Sequence, residues 1–208
     1  AAVVVYLGGG FEPYLERVLP ALPSSVVRVD AGERAAARFR DPHIWLDPVL
    51  AVGLVEAIRE GLTRADPAGR DRYAAGAAAL RRELEAVRRR YAEVLARCRR
   101  REFVTAHAAF GYLAARFGLR EVPIAGVDPE GEVSLGRLRE IVAFIRRSGA
   151  TVVFAEPGGA SRAAEVVARE AGVRLDVLDP LEGQTGRSYV AVMDDNLRRL
   201  AEGLDCRR

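Results

Sequence analysis

The chain has 208 residues, of which 50% are hydrophobic, so it can form one large domain or two small lobes with a sizeable core. The formal net charge is only +3, and basic residues alternate with acidic ones along helical stretches. This pattern is typical of a solvated face and argues against a nucleic-acid partner. No run approaches the roughly 18 apolar residues that a membrane span needs.

Two short strands and a helix are predicted at the start of the chain. The strands cover residues 3–7 and 26–29, the helix between them covers 11–22, and glycines 8–10 form a permissive turn. Residues 31–40 are rich in arginine and alanine and are predicted as a loop. Asp47-Pro48 is a typical helix start, so we predict the next helix over residues 48–62.

A long helix is predicted over residues 73–98. Its apolar residues are spaced by four and three, which keeps one face apolar; they are Leu80, Leu84, Val87, Tyr91 and Val94. At about 1.5 Å per residue this helix is about 39 Å long, which suits a rigid strut between two lobes. We therefore divide the chain into an N-terminal lobe at 1–66, a linking helix at 67–98 and a C-terminal lobe at 99–208.

The second half alternates between strands and helices. The strands are predicted at 103–105, 122–125, 152–155 and 175–178, and the helices at 108–117, 135–147, 160–171 and 189–204. Such alternation predicts βαβ units and a parallel sheet. The fold class is therefore α/β, with two parallel-sheet lobes. The first lobe is incomplete, because two strands are fewer than a stable sheet usually needs.

The only two histidines, His43 and His107, lie where strand-like runs give way to helix-like runs. Neutral imidazole is the commonest protein ligand for zinc. Ligands of open α/β sheets bind beyond the carboxyl ends of the strands, and both His107 and Asp179 follow strands of the second lobe. We therefore predict that His43, His107 and Asp179 share one metal in a cleft between the lobes.

Each candidate ligand has an alternative role. A lone histidine is often an ordinary half-buried side chain. Asp179 precedes a proline and has the context of a capping or turn residue, which is the main role that we expect for Asp47. Glu156 follows a strand and is either a hydrogen-bond partner of a metal-bound histidine or a surface carboxylate.

The two cysteines, Cys98 and Cys206, each close a predicted helix. Their separation does not fit a C-x-x-C metal site. A disulfide between the helix ends and a pair of free thiols are both open, and the disulfide requires an oxidising compartment.

Five segments resemble the metal-binding solute receptors of ABC importers, the zinc and manganese group. They are D-P-H-x-W-L-D-P at 41–48, H-x-A-F-x-Y-L at 107–113, G-x-x-P-E-x-E at 126–132, F-x-E-P at 154–157 and L-D-P-L-E-G at 178–183. The closing helix is also similar, and the resemblance covers nearly the whole chain. It extends to cell-adhesion proteins of the same group.

The resemblance implies a receptor without catalytic activity that binds a divalent metal between two lobes. It implies His43 and His107 as ligands, Asp179 as the carboxylate ligand and Glu182 as the fallback. Manganese members often have glutamate at the position of His107, so the resemblance favours zinc, with manganese as the alternative. It further implies an extracytoplasmic monomer that delivers the metal to an ABC permease.

One departure from the group lies at the start of the chain. Members carry a D-P-H-x-Y-E-P segment whose histidine is a further ligand, and nothing here matches it. The chain therefore looks N-terminally truncated, with a signal peptide and lipid anchor lost. We expect this chain to bind zinc more weakly than an intact receptor, because zinc sites normally have four ligands.

Two other functions remain open from the sequence. A metal-dependent hydrolase would activate water at an open coordination position, with Glu156 as the only candidate general base. A siderophore or haem receptor of the same architecture would need no pair of histidine ligands. We expect the protein to contact the membrane only through the lost anchor or through the permease.

Overall fold

The computed structural model describes residues 2–33, 41–128, 131–158, 162–183 and 186–207. The chain separates into two compact units, Ala1–Arg88 and Arg89–Arg208. This boundary falls within a long helix, and the predicted division into two lobes and a separate linking helix stays a prediction. Among the described residues, no helix combines the length and the hydropathy that crossing a bilayer would require.

The first unit contains a two-stranded parallel sheet with helices. Its strands are β1 (Val3–Tyr6) and β2 (Val27–Asp30), its helices are α1 (Pro13–Val18), α2 (Pro48–Ala65) and the start of α3 (Arg70–Leu95), and 3-10 turns cover Leu19–Ala21, Ile44–Leu46 and Pro67–Gly69. Val3 pairs with Val27 and Tyr6 with Asp30, as the predicted pair of strands requires. Residues 34–40 of the predicted loop lie outside the described residues.

The helix predicted over residues 11–22 is wrong in length. The α-helix ends at Val18, and a 3-10 turn follows it. Pro20 gives the reason, since proline has no backbone N–H and its ring clashes with the preceding turn of an α-helix. The predicted glycine turn is present, with positive φ angles at Gly8, Gly9 and Gly10.

Helix α2 begins as the sequence predicts. The Asp47 carboxylate accepts a hydrogen bond of 2.9 Å from the N–H of Val49, and Pro48 is the first helical residue. The helix continues to Ala65, three residues beyond the predicted end. Its buried face packs on β2, where Val29, Ala31 and Ala57 form a small apolar cluster.

Helix α3 has 26 residues, and its buried face differs in part from the predicted one. Leu84, Val87 and Tyr91 are buried as expected, whereas Leu80 is 38% exposed and Leu95 is fully buried. Ala77 is also buried, so the buried face includes Ala77 and Leu95 but not Leu80.

The second unit is a four-stranded parallel sheet with helices between its strands. Its strands are β3 (Glu102–Thr105), β4 (Arg120–Pro123), β5 (Val152–Ala155) and β6 (Arg174–Val177), and its helices are α4 (Gly111–Arg116), α5 (Leu135–Ser148), α6 (Arg162–Ala171) and α7 (Tyr189–Gly203). The strand order is β4-β3-β5-β6, and all pairs are parallel. This confirms the predicted α/β class and its parallel sheet. Residues 160 and 161 of the predicted sixth helix lie outside the described residues.

The core of the second unit lies on both faces of this sheet. On one face, buried residues of β3 and β5 pack against α5 and α6, with Val104, Val153, Ile141 and Val167 near its centre. Every residue of β5 is buried, as expected for a central parallel strand.

Cys98 and Cys206 form a disulfide. The two residues also form an isolated antiparallel bridge, which joins the segment after α3 to the segment after α7. The bond links positions 108 residues apart, so it restricts the unfolded chain strongly and is expected to stabilise the unit by about 2–4 kcal/mol. The sequence left both a disulfide and a pair of free thiols open, and the structure shows the disulfide.

Alanine is expected to change the stability of the protein in opposite directions at two helix glycines of the first unit. A Cβ at Gly61 in α2 would overlap a methyl group of Val29, whereas a Cβ at Gly76 in α3 would meet no atom within 4 Å. Gly61→Ala should lower the free energy of unfolding by about 1–3 kcal/mol through overpacking. Gly76→Ala should raise it by about 0.5–1 kcal/mol through helix propensity. Urea unfolding measures both, and a stabilising Gly61→Ala would contradict the packing described.

Candidate metal-binding site

Three loops of the second unit meet at one edge of its sheet. His107 comes two residues after β3, Glu156 comes directly after β5, and Glu182 lies in the loop after β6. Because β3, β5 and β6 run parallel, all three loops leave from the carboxyl ends of the strands. The topology therefore brings one imidazole and two carboxylates together.

His107 is buried and lies between the two carboxylates. Its Nδ1 is 2.5 Å from Oε1 of Glu156, and its Nε2 is 3.7 Å from Oε1 of Glu182. The carboxylate of Glu156 holds a proton on Nδ1, so the lone pair of Nε2 faces Glu182 whenever the ring is neutral. Glu156 is thus the hydrogen-bond partner of a histidine.

The distance from His107 to Glu182 is compatible with a shared zinc ion. Zinc binds imidazole nitrogen at about 2.0–2.1 Å and carboxylate oxygen at about 2.0–2.2 Å. A nitrogen and an oxygen bound to one zinc ion therefore lie no more than about 4.3 Å apart. The 3.7 Å between Nε2 and Oε1 falls inside this limit.

The charges around His107 favour its protonated form. Burial disfavours the imidazolium, but the hydrogen bonds and negative charges of Glu156 and Glu182 outweigh burial and raise the pKa of His107 to about 9. At neutral pH the metal-free ring is therefore charged, and a metal must displace its proton in order to bind.

The loop that carries His107 is fixed by a glutamate from the neighbouring strand β4. One oxygen of Glu121 accepts hydrogen bonds from the Thr105 hydroxyl and from the N–H groups of Ala109 and Phe110. The predicted helix 108–117 is consequently wrong at its start, because these groups bind Glu121 and the helix begins only at Gly111.

Asp179 is buried two residues after β6, and its side chain binds its own loop. Its Oδ1 accepts a hydrogen bond of 2.8 Å from the N–H of Leu181, which forms a turn over Pro180. Its backbone N–H and C=O both bind the side-chain amide of Asn196 on α7. Leu181 has a φ of 61°, a left-handed conformation that costs a non-glycine residue about 1–3 kcal/mol.

The first unit holds its histidine in a similar way. His43 is buried just before the 3-10 turn Ile44–Leu46. The Asp41 carboxylate accepts hydrogen bonds from the backbone N–H of His43 and from its Nδ1, at 3.0 and 2.8 Å. The ring contacts the edge of Trp45, with 5.3 Å between centroids. The Asp41 carboxylate therefore fixes the orientation of the ring.

The predicted site residues fall into two groups by position. The second unit brings together His107, Glu156 and Glu182, while Asp179 lies in the same loop as Glu182 but binds backbone groups. The first unit contains His43. Of the G-x-x-P-E-x-E segment, Pro129 and Glu130 lie outside the described residues.

Sequence reasoning missed the residues that orient the loops. They are Asp41, Glu121 and Asn196. Asp41 belongs to a quoted motif, and Asn196 is the only asparagine of the chain, so both carried a signal. Nothing in the sequence distinguishes Glu121 from the many other glutamates, because its partners come from a neighbouring strand.

The chain is thus an α/β protein of two units, each with a parallel sheet and a buried histidine held by a carboxylate. The chain belongs to the family described as zinc-uptake complex component A, periplasmic (ZnuA), whose model matches residues 1–203.

Bacterial relatives carry zinc in their names. The chain is 38% identical over 182 residues to the zinc-binding lipoprotein AdcA of Streptococcus pneumoniae, an alignment that covers 85% of this chain and 36% of AdcA. It is 33% identical over 170 residues to the high-affinity zinc uptake system protein ZnuA of Bacillus subtilis, covering 79% of this chain and 53% of that protein. The chain thus spans only part of the length of these relatives.

Solved structures share the fold. The laminin-binding protein Lbp of Streptococcus pyogenes matches with a TM-score of 0.88 at 32% identity, covering 98% of this chain and 82% of that one. The Zn(II)-bound ZnuA-like domain of S. pneumoniae AdcA matches with a TM-score of 0.80 at 34% identity, covering 99% and 80%. These matches support the predicted resemblance to both metal receptors and adhesins.

The charge environment of His107 predicts a pH dependence of the metal-free protein. Because its pKa rises from 6.5 to about 9 on folding, its contribution to stability is complete below pH 6.5 and is lost as the pH rises through about 9. Glu156→Gln should shift the pKa of His107 downward, while Glu140→Gln, which changes an exposed side chain, should not. NMR titration of the two histidine signals measures this, and a wild-type His107 that titrates near 6.5 would contradict it.

Proposed function

We propose that this protein is an extracytoplasmic receptor that binds zinc and delivers it to an ABC permease. The single observation that carries the proposal is the geometry of His107, whose Nδ1 is held by Glu156 while its Nε2 faces Glu182. A carboxylate–histidine pair of this kind orients imidazole for a metal. Membership of the zinc-uptake family and the zinc-binding names of the relatives support the same function.

The ligands that we propose are His43 from the first unit and His107 and Glu182 from the second. His43 resembles His107, since the Asp41 carboxylate binds its Nδ1 and orients the ring, and Nε2 is the nitrogen that we propose for the metal. Glu182 is favoured over Asp179 as the carboxylate ligand, because Asp179 Oδ1 is occupied by a backbone N–H and Glu182 lies next to His107. Asp179 then serves to shape the loop.

Zinc is proposed over manganese on the nature of the donor atoms. Two imidazoles suit zinc, whereas manganese prefers carboxylate and carbonyl oxygens. The similar ZnuA-like domain of S. pneumoniae AdcA has a Zn(II)-bound structure, which agrees with this choice.

A receptor outside the cytoplasm agrees with two further observations. The family is described as periplasmic, and the Cys98–Cys206 disulfide is of a kind that persists in oxidising compartments. We propose that the receptor is a monomer and that the permease takes the metal from it. No nucleic-acid partner is proposed.

The hydrolase alternative is not favoured. Glu156, its candidate general base, is bound to His107 Nδ1 and is therefore not directed at a metal-bound water. The siderophore or haem alternative is not favoured either, because it gives no role to two histidines that are each oriented by a carboxylate.

Zinc titration of purified variants tests this proposal. His43→Ala, His107→Ala and Glu182→Gln should each weaken zinc binding by about 100-fold or more, because each removes a donor atom or its charge. Glu93→Gln, whose exposed side chain pairs with Arg97, should bind as the wild type does. Trp45, the only tryptophan, contacts the His43 ring and gives a fluorescence signal for the titration.

Competition between zinc and manganese at equal free concentrations tests the choice of metal. Zinc should displace manganese from the wild-type protein. A clear preference for manganese would overturn the assignment, and unchanged zinc affinity in all three ligand variants would overturn the proposed site.

A further inference from the structure

The side-chain amide of Asn196 makes hydrogen bonds to the backbone of Asp179 that a neighbouring strand would make inside the sheet. Its Oδ1 accepts a hydrogen bond of 2.9 Å from the N–H of Asp179, and its Nδ2 donates one of 2.8 Å to the C=O of the same residue. Asn196 is only 2% exposed, and it is the only asparagine of the chain. The two opposite bonds also fix which end of the amide is oxygen.

The need for this pair follows from the position of Asp179. The N–H of Leu178 still binds the C=O of Ala155 on β5, so the sheet hydrogen bonds continue as far as Leu178. At Asp179 the chain leaves the sheet while it is still buried, and its backbone groups need new partners. Asn196 supplies both partners from α7, and no water is required there.

The same residue determines the shape of the next three residues. With its backbone fixed by Asn196, the Asp179 side chain reaches the N–H of Leu181 and closes a turn over Pro180. Leu181 then adopts its left-handed conformation, and Glu182 follows it directly beside His107. A strained residue of this kind persists only where its surroundings hold it in place.

We infer that Asn196 is a positioning residue for the metal site: it holds Asp179, and through the Asp179–Leu181 turn it places the Glu182 carboxylate beside His107. The inference rests on the proposed zinc-binding function and adds a residue on α7 that does not touch the metal itself. Asp179 acts in this arrangement as a turn residue.

A matched control exists on the same helix. The Tyr91 hydroxyl donates a buried hydrogen bond of 2.7 Å to the C=O of Met193 on α7. Tyr91→Phe therefore removes one buried hydrogen bond to α7 without changing any bond to the Asp179 loop. This variant therefore shows how much zinc affinity changes when α7 loses a buried hydrogen bond elsewhere.

The first measurement is zinc affinity by calorimetry. Asn196→Ala should weaken zinc binding about 10- to 100-fold, the usual effect of losing a residue that orients a ligand. Tyr91→Phe should leave the affinity within about twofold, since it acts at a separate site. Equal affinities of Asn196→Ala and the wild type would overturn the inference.

A pair of substitutions at Asp179 tests the inference even if Asn196→Ala fails to fold. Asp179→Asn retains an oxygen that accepts from the Leu181 N–H, so its zinc affinity should stay near that of the wild type. Asp179→Ala loses that oxygen and should weaken binding as Asn196→Ala does. If Asp179→Asn weakens binding as strongly as Glu182→Gln, Asp179 is a ligand and the inference is wrong.

A double variant shows whether Asn196 acts through Glu182. In the Glu182→Gln background, Asn196→Ala should cause little further loss of affinity, because the carboxylate that it places is already gone. Fully additive losses would show that Asn196 acts by another route and would overturn the inference.

Amide exchange of the metal-free protein separates this inference from the proposed function. Asn196→Ala should speed exchange at the N–H groups of Asp179 and Leu181, and Tyr91→Phe should not. If the wild type binds no zinc, the proposed function fails, while the exchange rates still decide whether Asn196 holds the loop. Unchanged exchange at both residues would overturn the inference even if zinc binds.

Discussion

The site depends on one constraint of parallel sheets, which is that strands running in the same direction all end at the same edge. In the second unit this places the residues after β3, β5 and β6 side by side, although they lie far apart in the sequence. An imidazole and two carboxylates are thereby concentrated in one place. Their backbone groups lose their sheet partners at that edge, so side chains such as Glu121 and Asn196 must replace them.

The two histidines share a second feature, which is a carboxylate on Nδ1. Asp41 reaches its histidine from two residues away, whereas Glu156 comes from a different strand. In both arrangements the carboxylate binds Nδ1 and restricts rotation of the ring. His107 has a second carboxylate close to Nε2, and the two negative charges favour a proton on the ring. The same charges therefore stabilise the protonated form and would attract the proposed metal.

The sequence predicts the elements better than it predicts what connects them. Strand β5 has the predicted bounds, and Asp47 caps α2 as its Asp-Pro context indicates, because both depend on local pattern. The early end of α1 at Val18 could also have been predicted, since Pro20 was visible in the sequence. The late start of α4 could not, because it depends on Glu121 from another strand. The contacts of Asp179 with Asn196 also come from a distant helix, so the proposed choice of Glu182 over Asp179 required three-dimensional contacts.

The disulfide has a consequence for how the second unit is assembled. Cys98 precedes the whole sheet of that unit, and Cys206 follows its last helix, so the bond joins the two ends of the unit. Once the bond has formed, α7 stays tied to the start of the unit even in a chain whose sheet has come apart. The helix that carries Asn196 therefore has fewer positions to search before it packs again.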